Sequence, residues 1–382
     1  MHTLKFYPVG NGDTCQIITN NAKRILLDYR QHANGTDSTK SEIDLSKHLK
    51  TDLKNAKRDF FDVVAFTHAD KDHIQGSTEF FYLEHAQKYQ SDERIKINEL
   101  WVPAAMLVES ASLDGQSEEF VILRQEARYR LRHNSGIKIF SKPDELVEWM
   151  EKENIDINER EHLFHDAGKV VPDWDLESDG IEFFCHSPYK KHVDGEGSGT
   201  EIRNSAALIF NIRFQTGTKQ RDFFAVGDSE AEVLAEIVEI TQHHNREDRL
   251  EWDILKAAHH CSYLALNTSG NKGDKKTTPL PKVQELLDSG RKNSYIISSS
   301  NSIPDNSSAY EDLQPPHIQS RKCYEQAIKE VNGREFLVTM EKSSSRAPKP
   351  IELEFSELGI KELTRASSGV AAASESKPSR AG

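Results

Sequence analysis

The chain is 382 residues long, enough for one large core or two modest ones. Its 49 Lys and Arg against 62 Asp and Glu give a formal charge of −13, which argues against attachment to nucleic acid through a general basic surface. With 29% charged residues and no apolar run approaching a membrane span, no membrane partner is expected.

The start, Met1-His2-Thr3-Leu4-Lys5-Phe6-Tyr7-Pro8, reads as a first strand and not as a signal peptide. Leu4 to Tyr7 is that strand, Val9-Gly10-Asn11-Gly12-Asp13 a turn, and Cys15 to Thr19 a second strand. Asn20-Asn21 marks a hairpin, and Arg24 to Asp28 a third strand. Residues 31–59 are polar and read as a loop plus a helix. Asp62 to Phe66 is an apolar, buried strand. At its end His68, Asp70, Asp72 and His73 leave a tight turn. Imidazole and carboxylate are good ligands for first-row divalent metals, and so many buried charges without partners would be costly.

Gly76 to Gln87 reads as a helix beneath this turn, and Glu99 to Pro103 as a strand stopped by proline. Residues 105–178 are helix-rich. Ser117 to His133 has a broad apolar face, and Pro143 to Asn154 opens with proline and acids as helix first turns do. This segment is either an insertion capping a site or a plain helical layer. Ile181 to Cys185, Ala207 to Phe214, Asp222 to Val226, Asp253 to Ala258 and Tyr295 to Ser298 are strands. Ser229 to Ile240 and Cys323 to Val331 are helices. Asp194 to Thr200 reads as a flexible loop, and its glycines lack the strand-to-helix context of a phosphate cradle. Arg334 to Met340 and Ile351 to Phe355 are expected at the edge of the second sheet. From about Thr364 the chain turns to Ser, Ala, Gly and Lys without periodicity and is expected to be disordered.

Further candidate ligands close two later strands. Phe223 to Val226 ends in Gly227-Asp228, which is either a turn or helix-cap aspartate before Ser229 or, with glycine allowing close approach, a carboxylate that can bridge two metals. Asp253 to Ala258 ends in His259-His260-Cys261-Ser262. Asn204, before a strand, could ligate a metal or hold a substrate oxygen, or could simply be a turn residue. Cys261 could add a thiolate or be a small neighbour of the site. The His243-His244 pair is expected in water. The four cysteines, Cys15, Cys185, Cys261 and Cys323, form no CxxC pair, which fits a reduced, cytoplasmic protein.

The His68 block resembles the H-x-[HD]-x-D-H signature of the metallo-β-lactamase superfamily, with Asp70 where the second His is usual. That form is similar to the ComEC/Rec2-like branch. Gly10, Gly12, Asp13 and Asp28 match its G-x-G-D…L-L-I-D opening, and Asp253 to Ser262 resembles its D-x-L-K-x-x-H-H-G-S motif, with Cys261 in place of Gly. Arg203 to Ile209 resembles its N-x-x-S-x-V segment, with Ala207 in place of Ser. Ser298 to Asn301 with Pro316-His317 resembles its closing region, with the order of Pro and His reversed.

The resemblance implies an α/β fold, an αββα sandwich of two mixed β-sheets with a helical insertion. It implies one hydrolase domain over 1–360, interrupted at about 105–178, and a tail over 361–382. It implies two divalent metal ions, zinc or manganese, the exchange of imidazole for Asp70 shifting the balance toward manganese. His68 and Asp70 would hold one, Asp72 and His73 the other, and Asp228 would bridge. His259 or His260 completes the set, with His260 assigned as ligand and Asp72 and His259 as catalytic groups. Asn204 and His317 are further candidate contacts. The implied activity is phosphodiester hydrolysis, most of all of DNA as a nuclease, with room for protein partners in a larger system such as bacterial defence. The alternatives are hydrolysis of a small phosphodiester, phosphocholine ester, lactone or amide, and a non-enzymatic scaffold.

Overall fold

The computed structural model describes residues 1–109, 117–193, 199–269 and 272–363. The strands, in chain order, are β1 (His2–Phe6), β2 (Cys15–Ile18), β3 (Arg24–Leu27), β4 (Phe60–Ala65), β5 (Lys96–Pro103), β6 (Ile137–Phe140), β7 (Phe164–His165) and β8 (Ile181–Ser187). They continue with β9 (Ile209–Thr216), β10 (Lys219–Ala225), β11 (Trp252–Lys256), β12 (Gly290–Ser298), β13 (Glu335–Val338), β14 (Ile351–Ser356) and β15 (Gly359–Glu362). The main helices are α1 (Leu45–Asn55), α2 (Glu118–Arg132), α3 (Asp144–Lys152), α4 (Gly199–Ser205), α5 (Ala231–His243), α6 (Pro281–Asp288) and α7 (Ile318–Glu330).

Two mixed sheets result. The first has the order β15-β14-β1-β2-β3-β4-β5-β6-β7, the second β13-β12-β11-β10-β9-β8. Strands β3 to β7 run parallel, as do β10 to β13.

The period-two direction of strand side chains sorts the apolar residues into three layers. On β5, Leu100 and Val102 face α1, α2 and α3, whereas Trp101 faces the other sheet. On β12, Tyr295 and Ile297 face inward, whereas Ile296 packs toward α5, α6 and α7. Both faces of each central strand are therefore covered, which explains near-continuous apolar runs such as Tyr295-Ile296-Ile297. The stacking is helix, sheet, sheet, helix: the αββα sandwich expected from the sequence. No helix among the described residues is long and apolar enough to cross a membrane.

Several local expectations are corrected. Gly76 to Gln87 is not a helix. Only Ser77–Phe80 makes one turn, and Phe81 then bridges to Ile95. Phe80 and Phe81 both pack on Tyr29, with ring centroids 4.7 and 5.4 Å away. The turn ends at Phe81, whose backbone is extended at φ −89° and ψ 145°. Ile351 to Phe355 joins the first sheet, with His2 opposite Phe355 and Phe6 opposite Ile351. Alternation specifies which face is buried but names no partner strand. Residues 105–178 hold helices α2 and α3 but also add β6 and β7 to the first sheet. Gly199 and Thr200 begin α4 and are not loop; the rest of that expected loop, and the tail from Thr364, lie outside the described residues.

Candidate metal centre

The carboxyl ends of the parallel strands in both sheets meet at one edge, the usual place for ligand sites in open α/β sheets. β3 delivers Asp28, and β4 the turn from Thr67 to Asp70 and the single helical turn Lys71–Ile74 with Asp72 and His73. β10 delivers Asp228, and β11 delivers His259 and His260. Asp13 arrives from the turn before β2.

Close approach is built in. A Cβ on Gly227 would lie 3.0 Å from Thr67 Oγ1 and 3.2 Å from its Cβ, so glycine lets the β10 end press on the β4 end. A Cβ on Gly12 would lie 2.1 Å from Arg30 Cδ and 2.8 Å from the carbonyl of Asp72.

Ligand atoms of Asp13, His73, Asp228 and His260, all buried, lie within 4.8 Å of one another. His73 Nε2 is 3.1 Å from Asp228 Oδ1 and 3.7 Å from Asp13 Oδ2. His260 Nε2 is 3.3 Å from Asp228 Oδ2 and 3.0 Å from Asp72 Oδ2. Each imidazole is aimed by its other nitrogen. His73 Nδ1 pairs with Asp28 Oδ2 at 2.8 Å, and His260 Nδ1 donates to the Ser299 carbonyl at 2.9 Å. Asp28 is itself held by the Thr67 N–H and hydroxyl, both donating at 2.7 Å. Metal-binding histidines characteristically carry such an orienting partner.

His68 and Asp70 form an adjoining pair, His68 Nε2 lying 3.7 Å from Asp70 Oδ2. The His68 and His73 ring centroids are 3.9 Å apart, so the two groups abut. His259 stands at the rim, its Nε2 3.9 Å from Asp228 Oδ2, and its side chain is 21% exposed where that of His260 is 2% exposed. Asn204 is buried beside α4's end. His317 sits one layer back, accepting from the Tyr263 N–H at 3.2 Å and stacking on Tyr263 at 3.8 Å. Cys261 is buried, which pushes its thiol up to about 12, and it is not among the clustered ligand atoms. His243 and His244 are exposed.

Charge is concentrated here. Burial alone would lower His73, but Asp228 and Asp28 outweigh it and hold the imidazole well above its ordinary value. His260 is raised to about 10 against its burial, by Asp228 and Asp72. Against their own burial, Asp228 is held well below the usual carboxylate range by His260 and His73, and Asp72 below it chiefly by its His260 hydrogen bond. His68 stays neutral: burial, then His73, push it well down.

Several polar atoms here are left without a hydrogen bond. His68 Nε2, His73 Nε2, Asp228 Oδ1 and Asn204 Oδ1 are buried without any hydrogen bond. Buried polar groups are rarely left so, and His73 and Asp228 belong to the cluster whose ligand atoms lie within 4.8 Å of one another. These N and O donors suit a first-row divalent metal.

Three residues at consecutive positions, His259, His260 and Cys261, have φ of 47°, 50° and 67°. Non-glycine residues are uncommon in that left-handed region, and strain of this kind gathers at functional sites. The cost is greatest to account for at Cys261, where the resembling motif has Gly.

Sequence reasoning left several contributors without a role. Asp13 and Asp28 were visible only as motif positions. Lys256 on β11, 2.5 Å from Asp13 Oδ2 and donating to the Val226 carbonyl at 2.7 Å, offsets one carboxylate. Arg203 and Glu109 carried no signal at all.

No protein-family model matches this sequence, and no curated protein matches it. Solved structures do align over most of the chain. A diphosphatase of the PhnP family aligns at 10% identity over 93% of this chain and 98% of its own, with a TM-score of 0.36. Unliganded yeast PDE1 aligns at 11% identity over 88% and 98%, with a TM-score of 0.42. A long-form RNase Z from yeast aligns at 14% identity over 91% of this chain but 42% of its own, with a TM-score of 0.41.

Proposed function

We propose that this protein is a dinuclear metal-dependent hydrolase of phosphodiesters, with DNA as its principal substrate class. One observation carries the metal reading: the buried ligand atoms of Asp13, His73, Asp228 and His260 converge, and His73 Nε2 and Asp228 Oδ1 make no hydrogen bond. The substrate reading is supported by the motif order that resembles the ComEC/Rec2-like branch. Zinc or manganese would be held by His68 and Asp70 on one side, and by Asp72, His73 and His260 on the other, with Asp228 between. Such ions supply an acidified water and a positive field for a developing oxyanion.

The chain's own residues do the rest. Asp28 and the Ser299 carbonyl keep the His73 and His260 rings in place. Asp72 is the most open carboxylate facing His260, its side chain 33% exposed, and orients the attacking water. His259 is the imidazole that a substrate can reach. It gives a proton to the leaving oxygen as the new phosphorus–oxygen bond forms and the old one breaks. A role beside protein partners in a larger system, bacterial defence included, is compatible with this chemistry.

A small phosphodiester, phosphocholine ester, lactone or amide is the second reading. The formal charge of −13 favours it, because a long polyanion gains little from such a surface. The test pairs elemental analysis with hydrolysis assays on single-stranded DNA, duplex DNA, RNA and a chromogenic phosphodiester. Chelator and Asp72→Ala serve as controls. DNA cleavage that needs manganese or zinc and vanishes with either control is expected. Well-folded protein that takes up neither metal would sink the proposal. Intact nucleic acids with cleavage of a small ester would transfer the function to the second reading.

A further inference from the structure

A buried chain of charges runs outward from the metal loop. Arg203, near the end of α4, donates from Nη1 to Asp70 Oδ1. Its other edge grips Glu109, Nε to Oε2 at 3.0 Å and Nη2 to Oε1 at 3.1 Å. The side chains of Arg203, Asp70 and Glu109 are 12%, 18% and 9% exposed. Glu109 follows the single-turn helix Ala105–Val108, and its carbonyl accepts from Arg124 Nη1 at 2.8 Å. The triad is thus anchored to α2 and has little freedom to swing away.

The two halves of the candidate centre therefore differ. Around His73, Asp228 and His260, the carboxylate Asp228 pairs only with imidazoles among the ion pairs of the described residues, and the fixed cation beside this half, Lys256, pairs with Asp13 and with none of His73, Asp228 and His260. At His68 and Asp70, one carboxylate oxygen is already committed to a guanidinium, and only Oδ2 faces His68. An arginine does not lose its proton, so its repulsion of a neighbouring cation is permanent. Glu109 lies on the far side of that guanidinium and offsets part of its field.

We propose that Arg203 and Glu109 set the two metal positions apart. The position at His73, Asp228 and His260 takes its cation tightly. The position at His68 and Asp70 is held weak by Arg203 and is partly restored by Glu109. The inference rests on the metal reading above. Its consequence is a centre whose second ion exchanges with free metal, so that hydrolysis follows metal supply. Arg203 and Glu109 are not ligands here; they act by their charge and through the hold of Arg203 on Asp70.

Titration of the metal-free full chain with manganese, followed by calorimetry and by elemental analysis, tests it. Wild type should bind two ions in steps at least about tenfold apart. Arg203→Met should tighten the weaker step by about tenfold or more and move the tighter step by less than about threefold. Glu109→Gln should weaken the weaker step by several-fold, and Arg203→Lys, which keeps the charge, should stay near wild type. The opposite signs separate electrostatic tuning from mere support of the loop. Equal sites in wild type, or a weaker step that falls in both Arg203→Met and Glu109→Gln, would overturn the proposal. If Arg203→Met does not fold, an unshifted or tightened weaker step in Glu109→Gln overturns it equally. Binding of no metal at all would instead remove the underlying metal reading.

Discussion

Strands β10 and β11 carry buried charge at both ends, and the two ends are neutralised in different ways. At the entering end, Asp222 and Asp253 meet three arginines. Arg213 Nε lies 2.7 Å from Asp222 Oδ1, and Arg291 Nη1 lies 2.6 Å from Asp222 Oδ2 and 2.7 Å from Asp253 Oδ2. Arg221 adds a contact to Asp253 at 3.3 Å. At the leaving end, Asp228 meets His73 and His260, and the nearest fixed cation on these strands, Lys256, is given to Asp13. Arginine is charged at any working pH and has no lone pair to offer, so the first cluster is closed. Imidazole can give up its proton and present nitrogen to a metal, so the second can exchange protons for a cation. Acid placement alone is the same at both ends; the partner decides whether it is structure or site.

The largest expected effect lies at the histidine end. Asp228→Asn should abolish hydrolysis and remove at least one metal while the protein stays folded. Free metal at about a hundred times its dissociation constant should stabilise wild type by about 2.7 kcal/mol. The same addition should stabilise Asp228→Asn far less. A thermal melt with and without metal reads both. Equal metal stabilisation of the two proteins would mean that Asp228 is another closed carboxylate.

The arginine end should answer in the opposite way. Breaking a buried ion pair by removing one partner costs about 3–5 kcal/mol. Asp222→Ala should cost less, about 2–3 kcal/mol, because Arg213 keeps Asp248 and Arg291 keeps Asp253 and Glu251. Burial raises Asp222 in spite of its arginines, which also limits what its charge contributes. Denaturant unfolding measures the loss. Metal content should be unchanged, and a fall in it would break the distinction between the two ends.

A weaker effect is expected one step from the ligands. Asp28 touches no metal position directly but aims His73. Removal of such a partner costs about 10–100-fold in metal affinity. Asp28→Asn should fall in that range in a manganese titration, with the fold retained. Loss as complete as in Asp228→Asn would make Asp28 a ligand.

These residues also mark how far the sequence could be read. The His68 block stood out as a candidate because its His and Asp residues follow an apolar strand at once, and Asp228 and His260 because they too close strands. The αββα plan came from the motif resemblance rather than from local pattern. What stayed hidden depends on partners distant in sequence. Asp28 and His73 are separated by 45 positions, and Arg203 and Asp70 by 133. No periodicity reports that an arginine will sit against a particular aspartate. The misreading of Gly76 to Gln87 has the same origin. Its composition permits a helix, but Tyr29, on another segment, draws in both Phe80 and Phe81. The tertiary contact wins over local propensity.

The smallest expected effect concerns the backbone beneath His260. Cys261 has φ of 67° and is buried, and it is not among the clustered ligand residues. Cys261→Gly and Cys261→Ala both empty the side-chain space, so their difference isolates the backbone. In ordinary helix or strand positions glycine is worse than alanine by about 0.5–1 kcal/mol, through lost chain entropy. In the left-handed region a Cβ costs roughly 1–2 kcal/mol, which reverses the order. Cys261→Gly should therefore be more stable than Cys261→Ala by about 1 kcal/mol, with metal binding kept in both. Paired denaturant curves of the two variants suffice to measure it. If alanine proves the more stable, the loop that carries His259 and His260 holds no strain at this position. The glycine of the resembling motif would then have another cause, such as room for substrate at the rim.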